Sequence, residues 1–201
     1  MAFRRRSKKR GGPALTYIRR ERKFHIGMIY DVLTWVAIVI VSVFLGLVVV
    51  YAFGTRTSVV GPSMEPTLRS GQEILINKIA YQLSAPKCGD VVVFKPNGNE
   101  NAHVSVKRVI GVPGDTIQIE SGKVLINGKL YTKDMAETTD DPGLAAEPIT
   151  LGADEYFVLG DNRRNSEDSR SANIGNISRS MIDGKAYMKL EIGDQETEFI
   201  R

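Results

Sequence analysis

Residues 32–53 read Val-Leu-Thr-Trp-Val-Ala-Ile-Val-Ile-Val-Ser-Val-Phe-Leu-Gly-Leu-Val-Val-Val-Tyr-Ala-Phe, 22 positions without a charge, and this run constrains the rest of the chain. As an α-helix it extends about 33 Å, close to the ~30 Å hydrocarbon core of a bilayer. Backbone polar groups in lipid must be paired within the protein, so a spanning helix is the expected structure. A cleavable leader is the competing reading. Its apolar core runs to only about 7–15 residues, however, and no Ala-x-Ala-like site follows promptly here. Asp31 just before the run, with Trp35 and Tyr51 near its ends, suits helix termini at two interfaces.

Charge gives the span a direction. Ten of the chain's 27 Lys and Arg fall within residues 1–25 against Glu21 alone, whereas residues 55–201 carry 17 bases and 21 acids, so the formal charge of +4 comes from the tail. A basic tail can bind nucleic acid, but beside an apolar span its commoner role is to mark the cytoplasmic side. No nucleic-acid partner is expected. The expectation is a basic cytoplasmic tail over 1–27, a transmembrane helix over 28–54 and an extracytoplasmic domain over 55–201. That is a single-pass plasma-membrane protein. Cys88 is the only cysteine, and His25 and His103 are the only histidines. Nothing therefore points to a disulfide, a metal or a cofactor.

About 150 residues beyond the span are enough for one hydrophobic core. They read as mainly β, because short Val- and Ile-rich runs alternate with Gly, Pro and Asn. The expected strands are 73–79, 90–94, 104–111, 116–120, 123–126, 129–131, 156–159 and 186–192. Asn127-Gly128 between two of them predicts a tight hairpin turn with positive φ. No long 3.6-residue apolar period follows residue 54, so helices there are expected to be few and short. Residues 134–148, with five acids, two prolines and little apolar content, read as a surface excursion within 121–153.

Three segments carry candidate chemistry. Ser63 stands in Gly61-Pro62-Ser63-Met64-Glu65-Pro66-Thr67-Leu68, ten residues past the span. Lys107 stands in His103-Val104-Ser105-Val106-Lys107-Arg108-Val109-Ile110, where alternation sets Ser105, Lys107 and Val109 on one face and Val104, Val106 and Arg108 on the other. A serine hydroxyl becomes a good nucleophile when a neighbour takes its proton, and a lysine does so only as the neutral amine, which burial favours. An arbitrary strand lysine is more often solvated. The third segment is Gly160-Asp161-Asn162-Arg163-Arg164-Asn165-Ser166-Glu167-Asp168-Ser169-Arg170, a polar run after an apolar strand. Alone it reads as a hydrophilic loop, whose acids and arginines could pair to hold a site rigid while Ser166 bonds a base.

In this order, and with Gly89-Asp90-Val91-Val92-Val93-Phe94 between the first two, the segments resemble the bacterial type I signal peptidases from about residue 28 to 192. The resemblance implies a membrane-anchored serine endopeptidase that removes signal peptides from exported precursors, with precursors and the lipid bilayer as its partners. It implies Ser63 as nucleophile, Lys107 as general base and Ser166 as the group orienting the lysine amine. Arg108, Asp161, Asp168 and Arg170 become structural supports, and Gly160 allows a close backbone approach. Gly61 stands where some members carry a serine that helps bind the oxyanion. The oxyanion is then left to the Ser63 N–H, with a second donor unidentified. This glycine, the single span and the short segment between Asp115 and Tyr156 look like the Gram-positive branch.

A substrate strand added between segments 57–62 and 104–107 would present alternate side chains to Val59, Val60, Met64, Val104 and Val106, favouring small residues one and three positions before the cut. Apolar side chains around Ser63, Leu68 among them, could both dehydrate Lys107 and touch lipid. Other signatures fail. Glu65 stands where a Gly-x-Ser-x-Gly elbow needs glycine, and Pro86 interrupts the helix that Ser84-Ala85-Pro86-Lys87 would need as a Ser-x-x-Lys motif. A tethered β-domain that binds without catalysis, and a self-cleaving Ser-Lys protease related to LexA-type repressors, are the alternatives. The span and the lack of a DNA-binding segment weigh against the second.

Overall fold

The computed structural model describes residues 26–98, 103–132, 138–190 and 197–200. The apolar run forms one helix, α1 (Ile26–Phe53), long and apolar enough to cross a membrane. The basic tail lies outside the described residues. The chain divides into two compact units between Val43 and Phe44, and the last turns of α1 fall in the second. The orphan carbonyls at the helix C-terminus find partners there. Ala52 O accepts from the Lys78 N–H at 3.2 Å. Phe53 O accepts from the Tyr187 hydroxyl at 2.9 Å, and the Phe53 and Tyr187 rings meet edge to face at 6.2 Å.

Twelve strands follow among the described residues. They are β1 (Thr55–Ser58), β2 (Glu73–Asn77), β3 (Val91–Phe94), β4 (Ser105–Gly111), β5 (Thr116–Glu120), β6 (Lys123–Ile126), β7 (Lys129–Leu130), β8 (Ile149–Thr150), β9 (Glu155–Leu159), β10 (Ile177–Ser178), β11 (Ile182–Lys189) and β12 (Glu198–Phe199). The large sheet is ordered β1-β2-β11-β3-β4-β9-β10, with β12 beside β11; the small sheet is β7-β6-β5-β8. All pairings are antiparallel. A mainly β protein with an N-terminal apolar helix is what the sequence predicted.

The continuous apolar runs mark strands buried on both faces. In β3, Val91 and Val93 join a cluster with Met64, Leu68, Ile74 and Val106, while Val92 and Phe94 join another with Tyr81, Val109 and Tyr156. In β9, Tyr156 and Val158 face that second cluster, and Phe157 and Leu159 face a third, with Ile117, Ile119 and Val124 of the small sheet. Each such fully buried side chain is worth roughly 1.5–3 kcal/mol. The alternation expected around Lys107 is present, since Val106 and Val109 enter different clusters.

Strand boundaries moved where side chains compete with the ladder. The strand expected over 73–79 ends at Asn77, whose Oδ1 accepts the N–H groups of Ile79 and Ala80 and starts the short helix α2 (Ala80–Leu83). The last strand begins at Ile182, not 186, with register breaks after Ile182 and Ala186; residues 191 and 192 lie outside the described residues. Asn127 and Gly128 have φ of 52° and 75°, as a two-residue hairpin with the strand twist requires. Residues 134–137 of the surface excursion lie outside the described residues; the rest is mostly exposed, but Ala145 is fully buried in the third cluster and Thr139 is 1 % exposed.

Candidate active site

Ser63 lies in a tight turn after β1, where Glu65 N–H bonds Pro62 O and Leu68 N–H bonds Met64 O. The second bond is a helical i, i+4 step, so Met64 and Leu68 point together into the first core cluster. Both are 0 % exposed, and Val59 is 2 % exposed, so the expectation that they touch lipid fails; of the four apolar residues around Ser63, only Val60 is exposed. Val59, Met64 and Val106 form buried backing, and Val60 and Val104 remain reachable.

Lys107 is fixed by the β3–β4 ladder, where it pairs with Val92. Its Nζ donates to Ser63 Oγ at 2.8 Å, and both residues are buried. Burial lowers the Lys107 pKa from its ordinary 10.5, opposed in part by the charges of Asp168 and Glu167. The lysine thus stands where it loses its proton more readily than in water, with a hydroxyl within reach. Among the described residues no hydrogen bond is made by the Ser63 N–H, which leaves it free to meet a developing negative charge.

β4 holds a second feature. It pairs with β3 from Ser105 to Arg108, but with β9 only from Arg108 onward. Among the described residues one edge of Ser105, Val106 and Lys107 is therefore unpaired, and β1 is the sheet's edge strand. Unpaired backbone of this kind is a template for an added strand.

The neighbouring Arg108 turns to the other side. Its Nε and Nη2 grip the two oxygens of Asp161 at 2.8 and 2.7 Å, its Nη1 donates to Gly89 O, and Thr67 donates to Asp161 at 2.6 Å. Two-point pairing suits burial, since a lone buried charge costs several kcal/mol (~3–5). The bridge ties the turn after Ser63, the strand of Lys107 and the polar loop together.

That loop is organised around Asp168. Its Oδ2 accepts from Gly160 N–H at 3.0 Å and from the Ser166 hydroxyl at 2.7 Å, and Arg170 Nε donates to its Oδ1 at 2.8 Å. Ser166 was expected to orient the lysine amine; here its proton goes to Asp168, and it makes no bond to Lys107 among the described residues. Gly160 sits so close to the turn that a Cβ there would meet Ser63 O at 2.5 Å. Asn162 N–H donates to the same carbonyl at 3.0 Å. Gly61 has φ of +82°, a left-handed conformation that favours glycine, and its N–H is taken by Ser70 Oγ at 3.2 Å. Its amide is therefore not offered to an oxyanion. The sequence reading placed Thr67 in the Ser63 segment without a bonding role and did not single out Ser70; the turn brings both in.

Several known proteins are similar to this chain in sequence. A family described as signal peptidase, peptidase S26, matches residues 32–190. A signal peptidase I of Bacillus amyloliquefaciens is 38 % identical over 165 residues, 76 % of this chain and 84 % of that protein. A probable signal peptidase I-2 of Synechocystis sp. is 36 % identical over 151 residues, covering 70 % and 67 %. A signal peptidase IB of Staphylococcus aureus is 31 % identical over 179 residues, covering 79 % and 89 %. A solved signal peptidase I from Enterococcus faecalis V583 aligns at 28 % identity with a TM-score of 0.42, over 51 % of this chain and 97 % of that one. The chain belongs to the signal peptidase family, peptidase S26. Its place there is with the bacterial type I signal peptidases, serine endopeptidases that cleave signal peptides.

Proposed function

We propose that this enzyme cleaves exported precursors with Ser63 as nucleophile and Lys107 as general base. The observation that carries the reading is the 2.8 Å contact between Lys107 Nζ and Ser63 Oγ inside a buried site. Ser63 Oγ bonds the scissile carbonyl carbon as its proton passes to the neutral amine. The tetrahedral oxygen is met by the Ser63 N–H, a donor of the kind worth about 3–4 kcal/mol. Collapse breaks the C–N bond, and the Lys107 ammonium protonates the leaving amine. A water then gives its proton to Lys107 and attacks the ester, and Ser63 leaves with a proton regained. This is a Ser-Lys variant of triad chemistry. Arg108, Asp161, Asp168 and Arg170 hold the frame.

The substrate lies as a strand along the open edge of Ser105 to Lys107 and the segment of Val60. Alternate side chains then point inward, onto an apolar surface backed by Val59, Met64 and Val106. Such a surface offers no partner for a charge. Small residues are accepted at the first and third positions before the cut.

The enzyme is anchored by α1 in the plasma membrane, with its N-terminus cytoplasmic and residues 55–201 outside. Ten residues join Phe53 to Ser63, at most about 33–36 Å, so the nucleophile stays near the bilayer in which a precursor is also held. Shared confinement raises the effective concentration of the scissile bond. The test is a precursor series with Ala, Leu, Phe or Lys at each of the first three positions before the cut. Tolerance at the second position alone is expected, and equal cleavage throughout would remove the pocket account.

A further inference from the structure

The segment from Thr138 to Ala146 has no part in the chemistry above, yet it is bonded into the loop beside the nucleophile. Thr139 N–H donates to Gly122 O, in the turn between β5 and β6, at 2.8 Å. Its hydroxyl oxygen accepts from Arg163 Nη1 at 2.8 Å, and Arg163 Nε donates to Gly160 O at 2.8 Å. Three hydrogen bonds thus run from the small sheet to the peptide of Gly160. That peptide is held at its other end by Asp168 and packs on the Ser63 carbonyl. A second tie lies further along, where Leu144 N–H donates to Arg170 O and Arg170 Nη1 to Asp141 O.

Burial separates these ties from surface decoration. Thr139 is 1 % exposed and Arg163 5 %. A buried hydroxyl or guanidinium is costly without its partners, so both are committed to them. The exposed pair of Arg164 and Asp140, in contrast, contributes little. Between the segment and the loop lies a cavity of about 440 Å³ lined by polar side chains, among them Asp140, Arg163, Ser166 and Asp168. On this side hydrogen bonds tie the loop to the segment.

We propose that residues 138–144 form a positioning strap, through which the small sheet holds the Gly160 peptide against Ser63, and that Thr139 is its positioning residue. The inference rests on the reading of Ser63 and Lys107 as the reacting pair. A released Gly160 peptide shifts the nucleophile's turn and the Ser166–Asp168 contact together. It does not touch the strand edge of Ser105 to Lys107, so turnover is sensitive and substrate affinity is not.

The experiment uses the full chain in detergent with a signal-bearing precursor. Thr139→Val keeps the shape and the backbone bond to Gly122 but removes the acceptor for Arg163; Thr139→Ser keeps that acceptor. Thr139→Val is expected to lower kcat about tenfold while KM stays within about twofold, and Thr139→Ser to restore kcat. Parental kcat in Thr139→Val would overturn the strap. So would equal losses in both variants that follow their thermal midpoints, which is what a scaffold role alone gives. Ser63→Ala in the same assay separates the two readings: turnover by it sinks the reacting pair, whereas inactive Ser63→Ala beside unimpaired Thr139→Val sinks only the strap.

Discussion

Lys107 Nζ lies 2.8 Å from Ser63 Oγ although the two residues are 44 positions apart, on a strand and in a turn that share no backbone bond. What joins their supports is the Arg108–Asp161 bridge, with Thr67 of the turn bonded to the same carboxylate. The contact is therefore a product of the frame: strand, turn and polar loop must all be in place before the amine meets the hydroxyl.

Activity should depend on pH through the lysine. Only neutral Lys107 accepts a proton, and burial lowers its pKa below 10.5, so kcat should rise with pH along a limb whose midpoint lies below that value. A pH–rate profile on a saturating precursor measures it. A limb at 10.5 or above would mean that the working base is solvated.

The same burial costs stability, and the sign follows from proton counting. Between the lowered pKa and 10.5 the unfolded chain holds a proton on Lys107 that the folded chain has released, so folded stability rises with pH across that window. Lys107→Met removes the group that must be neutralised or buried charged. It should raise the thermal midpoint at neutral pH while ending catalysis, and its advantage should shrink as pH approaches 10.5. An unchanged midpoint at every pH would contradict the burial.

Gly160→Ala should be slow for steric reasons. Its Cβ would crowd Ser63 O and the Ser166 side chain, so the turn or the loop must move. A displacement approaching 1 Å costs on the order of a hundredfold in kcat. Steady-state kinetics of the variant, with its circular dichroism, check the effect, and parental turnover would mean that the contact is not maintained in solution.

Orientation is checked by protease added to spheroplasts. Residues 55–201 should be digested and the basic tail spared. Protection of the β-rich body would reverse the arrangement and move the site to the other compartment.

The polar loop and the two short motifs were legible because residue type and order alone carry them. The β3 and β9 runs were legible because both faces are apolar. β1 was not: Thr-Arg-Thr-Ser is polar, and its pairing with β2 comes from the sheet edge that Glu73 to Asn77 offers. The inward turn of Met64 was not legible for a local reason, since the helical step to Leu68 that sets it is not signalled by residue type. The burial of Thr139 and Ala145 within a mostly exposed segment was not legible, because Arg163 and the small sheet create it. The Ser166 bond to Asp168 rather than to the lysine depends on side-chain geometry two residues along the loop, which spacing alone does not resolve.

Cleavage of a purified signal-bearing precursor by folded Ser63→Ala, Lys107→Met and Lys107→Arg, beside the parent, tests the central claim most directly. All three should lose at least about a thousandfold in kcat, Lys107→Arg included, because a guanidinium keeps its proton. Turnover within about tenfold of the parent by any folded member of the set would contradict the Ser63–Lys107 mechanism.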